Sequence, residues 1–331
     1  MPQSSVLCIA LCALLLALSI PAEAQQPKKV PRIGYLTLGA PSFSSRSTPL
    51  KAFQQGLREL GYVEGKNISI EYRYAEGKFD RLPALAAELV QLKVDAIVTA
   101  GGTPSAQAAK NATTTIPVVT VGVGDPVALG LVASLARPGG NITSLSAMSP
   151  DLSGKRLELV KEIVPNASRV ALLWNPDYQD AVIGMREIKA TAPLLGIKLQ
   201  FVEMREPRDL EQAFSAMKRE RADALITINS PNILTQSKRV VDFAAKSQLP
   251  AMYSYREYVD DGGLMFYGAS LPEMYRRAAT YVDKILKGAK PGDLPVEQPR
   301  KFEFIINLKA AKQIGLTFDA NVLARADGVI K

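Results

Sequence analysis

Asp95-Ala-Ile-Val-Thr-Ala-Gly-Gly-Thr-Pro-Ser105 is the stretch from which the fold can be read. Ala96 to Ala100 is apolar or β-branched without polar alternation, the pattern of a strand buried on both faces. Gly101 and Gly102 then break the strand, and Pro104 stands where the first turn of a helix accepts proline. In an open parallel sheet, ligands sit outside the carboxyl ends of the strands, where this turn would lie. The glycines let backbone approach a ligand closely. The free N–H groups of the first helical turn, with the hydroxyls of Thr103 and Ser105, would form a site for an anion such as a carboxylate. Thr103 acting as an ordinary helix cap accounts for the same residues, and both readings stand at this level.

Outward from this stretch the chain alternates short β-rich runs with helical periodicity, the signature of βα units. In the first half, strands fit Arg32–Thr37, Ile68–Tyr74, Ala96–Ala100 and Val118–Val121, with helices at Thr48–Leu60, Arg81–Leu92 and Pro104–Ala109. The second half repeats the grammar: strands at Val170–Trp174, Lys198–Glu203, Ala224–Ile228 and Ala251–Tyr253, and helices near Leu152–Ile163, Asp180–Leu195, Arg208–Arg219 and Asn232–Ser247. Asp95-Ala-Ile-Val-Thr aligns with Asp223-Ala-Leu-Ile-Thr, Leu60-Gly61 with Leu195-Gly196, and Ile116-Pro117 with Leu249-Pro250, in the same order. Such an internal repeat predicts two lobes of one α/β fold.

Beyond Gly262 come a strand (Leu264–Tyr267), a helix (Pro272–Leu286), a turn-rich stretch, a strand (Lys301–Ile306) and a closing helix near Leu308–Gly315. This is too little for a third domain. It reads as chain that crosses back between the lobes and leaves a hinge, which permits closure around a ligand. The expected division is residues 30–145 with about 268–298 in the first lobe, and 146–267 with about 299–331 in the second.

The apolar run from Val6 to Ile20, followed by Pro21-Ala-Glu-Ala24, reads as a signal peptide over residues 1–24, although no Lys or Arg precedes the run. Both cysteines, Cys8 and Cys12, lie inside it, so the processed chain would have no disulfide, thiolate chemistry or cysteine-based metal site. Histidine is absent throughout, which removes the commonest general base, the His-dependent triads and most catalytic zinc sites. Ser153-Gly-Lys155 lacks the rest of a P-loop, and Gly122-Val-Gly124 lacks the third glycine of a dinucleotide fingerprint. Asp260-Asp261 before Gly262-Gly263 reads as a turn rather than an acid–base pair. The net charge of +8 is spread over helix-like segments and interleaved with acids, with no nucleic-acid motif. The residues therefore point to a non-enzymatic binding role without cofactor, metal or nucleic acid.

Further ligand contacts are sought at strand ends. Asp125 could take a ligand ammonium or cap a helix. In the second half the corresponding positions are Asn175, Asn229, and Tyr253 to Glu257, for which turn chemistry and core packing are the competing readings. Thr37, at the end of the first strand, and the aromatic side chains Tyr35, Trp174, Tyr253, Tyr255 and Tyr258 could line the cleft or fill the core.

Arg32-Ile-Gly-Tyr-Leu, Gly56-Leu-Arg-Glu-Leu-Gly-Tyr-Val-Glu-Gly-Lys-Asn67, Asp125-Pro126, Arg137-Pro-Gly-Gly-Asn141, Gly262-Gly-Leu-Met-Phe-Tyr-Gly268 and Lys287-Gly-Ala-Lys-Pro291 occur in this order along the chain. Together they resemble the substrate-binding proteins of ABC-type importers, in the branch with tryptophan- and phenylalanine-binding members. The resemblance implies a type I periplasmic-binding-protein fold: two Rossmann-like lobes with parallel sheets, hinged by three crossovers. It also implies a periplasmic monomer that holds a small molecule, an amino acid or other carboxylate, and presents it to a membrane permease. Amino-acid-binding members hold the carboxylate on the first lobe, which matches Gly102, Thr103 and Ser105 here, with Asn229 and Tyr253 expected to join on closure. An exported enzyme and a sensory ligand-binding protein are the alternatives. A DNA-binding regulator of the same architecture would need a helix-turn-helix where the signal segment stands.

Overall fold

The computed structural model describes residues 29–40, 48–148 and 152–331. The signal-peptide reading of residues 1–24, with Cys8 and Cys12, lies outside the described residues. The first βα series runs β1 (Arg32–Thr37), α1 (Thr48–Glu59), β2 (Ser69–Tyr74), α2 (Leu82–Gln91), β3 (Ala96–Ala100), α3 (Thr103–Ala112), β4 (Val118–Val123) and β5 (Ile142–Ser146). Its strands form one parallel sheet in the order β2-β1-β3-β4-β5. Alternate residues feed two apolar layers: Ile33, Val98 and Val119 on one face, Leu36, Ile97 and Val118 on the other. That double burial explains the unbroken apolar runs of β3 and β4.

The second series runs α4 (Leu152–Ile163), β6 (Arg169–Trp174), α5 (Gln179–Thr191), β7 (Lys198–Glu203), α6 (Leu210–Arg219), β8 (Ala224–Thr227), α7 (Pro231–Leu234), α8 (Ser237–Lys246), β9 (Ala251–Tyr253), α9 (Glu257–Asp260) and β10 (Met265–Ala269). It continues through α10 (Leu271–Leu286), β11 (Phe302–Asn307), α11 (Leu308–Gln313), α12 (Ala320–Ala324) and β12 (Gly328–Ile330). The second sheet has the order β12-β11-β10-β9-β8-β6-β7. Its stretch from β10 to β7 is the first sheet's order repeated strand for strand. The aligned aspartates do the same work in both sheets. Asp95 Oδ2 accepts the Arg32 N–H at 2.7 Å, and Asp223 Oδ2 accepts the Ser168 and Arg169 N–H groups at 2.8 Å. Each ties the start of the middle strand to the start of its neighbour.

Three passages of chain link the sheets: from β5 into α4, from β10 into α10, and from α10 back to β11. After β10 the chain leaves the second sheet, and Met274, Tyr275, Ala278 and Val282 of α10 complete the apolar layer over Ile33, Phe53 and Val119. Gly56 lets α1 and α10 meet closely, since a Cβ there would lie 2.6 Å from the Arg276 carbonyl oxygen. The returning strand β11 runs antiparallel to β10, so the second sheet is mixed rather than wholly parallel. Two strands have no counterpart in the sequence reading. β12 is three residues long. β5 reads Ile-Thr-Ser-Leu-Ser, and its burial rests on hydroxyl bonds such as Thr120 Oγ1 to Ser144 Oγ at 2.7 Å and on the returning chain, where Glu297 exchanges backbone bonds with Ser144 and Ser146. The helix expected over Asn232–Ser247 is broken at Thr235 and Gln236 into α7 and α8.

Candidate functional site

Between the sheets, outside the carboxyl ends of their strands, lies a cavity of about 290 Å³. Its two walls differ in chemistry. The first lobe and the hinge present apolar or backbone surface: Pro49 of α1, Gly122 of β4, Ala147 after β5, and Leu271 and Pro272 of α10. Every charged group among the described lining residues comes from the second lobe: Arg156, Arg256, Glu257, Asp260, Asp261 and Glu303.

Arg156 sits on the buried face of α4 with Leu152, Leu159, Val160 and Ile163, and is only 1% exposed. Its Nε donates to the Tyr267 carbonyl at 2.8 Å, and its Nη1 to Asn229 Oδ1 at 3.2 Å. Burial lowers its pKa to about 10 against the pull of Tyr255 and Tyr267, so the guanidinium stays cationic at neutral pH. Glu257 opens α9, and its Oε2 is buried without a hydrogen-bond partner. Burial raises its pKa above the ordinary 4.5, its own backbone N–H opposes the rise, and Asp260 adds to it. A ligand cation there would restore the charged form. Tyr255 and Phe266 also line the cavity and offer aromatic surface, and Asn229 faces the Tyr255 hydroxyl. The remaining charges are satisfied within the protein: Arg256 pairs with Glu303 at 3.2 Å and Asp260 at 3.7 Å, and Asp261 accepts the Ser237 hydroxyl.

The start of α3 is occupied by a carboxyl group of the protein itself. Thr103 Oγ1 donates to Asp180 Oδ2 at 2.8 Å, and both residues are buried. Asp180 belongs to the first turn of α5 in the opposite lobe. The Tyr178 hydroxyl and the Gly124 N–H face the same carboxyl more loosely and favour its charged form, whereas burial, the dominant influence, raises its pKa from 3.8. Gly102 has φ +79°, and a Cβ there would lie 2.3 Å from the Tyr178 hydroxyl, so only glycine lets the lobes approach at this point. The Ser105 hydroxyl is buried without a partner.

Of the residues singled out from the sequence, Asn229, Tyr255 and Glu257 line the cavity, while Thr37, Gly102, Thr103, Ser105, Asp125, Asn175 and Tyr253 do not. Thr37 accepts the Gly39 N–H at 3.1 Å, and Asn175 accepts the Asp177 N–H at 2.9 Å, both in turns. Asp125 Oδ1 accepts the N–H groups of Val127 and Ala128 at 3.0 and 2.9 Å, which closes the turn that follows β4. Tyr253 stacks on Tyr258 in the core at 4.7 Å. Arg156, Phe266 and Asp180 were not among the candidates. The available signal was helical spacing: Arg156 falls on the stripe Leu152, Leu159, Val160, Ile163, and Asp180 beside Ala181, Gly184, Met185 and Ile188, so each is a charge on a face that otherwise turns inward.

Residues 42–330 match the family model described as ABC transporter substrate binding protein. A tyrosine-binding protein of Clostridioides difficile (strain R20291) is 30% identical over 268 residues, spanning 80% of this chain and 76% of that one. The ABC domain in complex with L-Trp from Streptococcus pneumonia superposes with a TM-score of 0.81 at 28% identity, covering 90% of this chain and 100% of that chain. The ligand-free, open structure of a substrate binding protein with adhesive properties from Clostridium difficile gives 0.66 at 26% identity, over 91% and 99% of the two chains. The repeated sheets, the three crossings and the cavity between the lobes are those of a type I periplasmic binding protein, and the chain belongs to the ABC transporter substrate-binding proteins.

Proposed function

We propose that this substrate-binding protein takes an aromatic amino acid, with the ligand carboxylate on Arg156, the ammonium on Glu257 and the ring between Tyr255 and Phe266. The observation that carries this reading is the pairing, in one cavity, of a buried guanidinium with a glutamate whose Oε2 is buried without a hydrogen-bond partner. Each charge is costly to desolvate alone, and a zwitterion compensates both at once. The cavity volume of about 290 Å³ lies at the lower end of small-molecule sites, which suits one amino acid. The names of the tyrosine-binding relative and of the L-Trp complex support the same class. In this proposal the protein acts as a periplasmic monomer without catalysis. Residues 30–145 with about 268–298 form one lobe and the remainder the other, and the closed form delivers ligand to a membrane permease. The ligand docks on the charged second lobe and the apolar first lobe covers it, the reverse of docking at Thr103 and Ser105.

Calorimetric titration with L-tyrosine, L-tryptophan and L-phenylalanine, alongside tyramine and the deaminated acid of tyrosine, tests the assignment. One charge-assisted hydrogen bond contributes about 1.5–3 kcal/mol, so removing the carboxylate or the ammonium should weaken binding roughly 10- to 100-fold. Tyramine binding as tightly as L-tyrosine would remove Arg156 as the carboxylate anchor. No response to any of the amino acids would remove the ligand class.

A further inference from the structure

The contact between Asp180 and the start of α3 lies outside the cavity, so the reading above does not use it. The carboxyl sits in the first turn of α5, and the group it bonds, Thr103, opens α3; these helices have 13 and 10 residues and belong to opposite lobes. One carboxyl group thus meets the N-terminal ends of two helices, one from each lobe, where the helix dipoles are positive. Tyr178 packs against Gly102 at the same point, and the Thr103 N–H faces the Tyr178 hydroxyl. None of Asp180, Tyr178, Thr103 or Gly102 lines the cavity.

We propose that Asp180, bonded to Thr103 at the N-terminus of α3, is a latch that biases the two lobes toward closure before any ligand is bound. The acceptor that suits this helix terminus is carried on the second lobe and arrives only when the cleft shuts. When the lobes separate, water takes over both partners, so the bond counts for the closed state alone and acts as a differential interaction between the two states. The cost of drying the carboxyl offsets much of the gain from its hydrogen bonds, which keeps the latch weak. A weak latch leaves ligand in control, because apparent affinity scales with the fraction of molecules already competent to bind. Closer superposition on the L-Trp complex than on the open structure accords with lobes that meet at this contact.

Small-angle X-ray scattering of the ligand-free full chain tests the latch independently of any ligand assignment. Asp180→Ala and Thr103→Val should each enlarge the radius of gyration, and the double variant should do no more than either alone, since they remove one bond. Thr103→Val is isosteric and keeps the test open if Asp180→Ala fails to fold. Scattering unchanged in the soluble variants would overturn the proposal. The second arm rests on the amino-acid reading. With L-tyrosine, tyramine and the deaminated acid as probes, both variants should weaken every probe by one common factor, about five- to tenfold, the scale of a typical coupling between sites. A loss confined to the probes that carry the ammonium or the carboxylate would make Asp180 a ligand contact and overturn the latch. If none of the probes binds even the unaltered protein, the scattering result still decides, and only the ligand class fails.

Discussion

A buried arginine is costly unless its donors are met, and the acceptors of Arg156 include the Tyr267 carbonyl and the buried Asn229 Oδ1. Arg156→Met keeps much of the bulk but leaves these acceptors short of a donor. We expect a loss of about 1–3 kcal/mol in urea unfolding, together with loss of discrimination between amino acids and their decarboxylated amines. Unaltered discrimination would show that Arg156 serves the fold alone. The sequence reading names Asn229 and Glu257 because both follow strand ends, where an open α/β sheet collects its ligands, and both line the cavity. It passed over Arg156 because a helix interior is not where loops gather. The same logic nominated Thr37, Asp125 and Asn175, whose short polar side chains turn back to nearby backbone N–H groups. From one chain, a side chain that bonds a ligand and one that bonds its own turn look alike.

Among the elements, the pairing of α1 with α10 is the most exacting. Gly56 faces the backbone of α10, and the nearest atom to an added Cβ is the Arg276 carbonyl oxygen at 2.6 Å, which has no rotamer with which to move aside. Gly56→Ala should therefore destabilise the protein by about 1–3 kcal/mol despite the better helix propensity of alanine. Thermal denaturation checks this, and a rise in melting temperature would mean that the helices part without cost. Gly56 was legible as part of a motif, but its partner was not, because α10 lies more than two hundred residues further along the chain. β5 was illegible for a related reason. Thr143 and Ser144 are buried by bonds to Leu294 and Thr120, contacts that a local hydropathy pattern cannot register.

At the scale of the whole molecule, two groups of carboxyls oppose each other in pH dependence. Burial raises Asp180, against the pull of Thr103 and with Asp125 adding to it; burial also raises Glu257, beside Asp260, Asp261 and Arg256. Their contribution to stability is present below the ordinary carboxylate range and is lost as pH rises through the raised values. Burial pushes Asp223 upward as well, but the Ser168 and Arg169 N–H groups outweigh it, and Asp327 is lowered chiefly by the Phe304 N–H. These two contribute above the ordinary value of 3.8 and lose that contribution as pH falls below it. Melting temperature should rise as pH falls through the raised values of Asp180 and Glu257 toward the ordinary carboxylate range, then drop as pH falls below that range. Asp180→Asn and Glu257→Gln should each flatten the upper limb, and an upper limb unchanged in both would remove these groups as its source. The two-lobed plan was visible in the repeated Asp95 and Asp223 motifs, because a tie between neighbouring strands recurs wherever the unit recurs. The three crossings also set an order on biosynthesis. The sheet of β1 to β5 is made first, yet the apolar layer on one of its faces is finished by Met274, Tyr275, Ala278 and Val282. A nascent chain that has reached β10 covers that oily face only in part, with Leu50, Phe53 and Leu57 of α1. The early half therefore cannot complete its own apolar layer until α10 has been made.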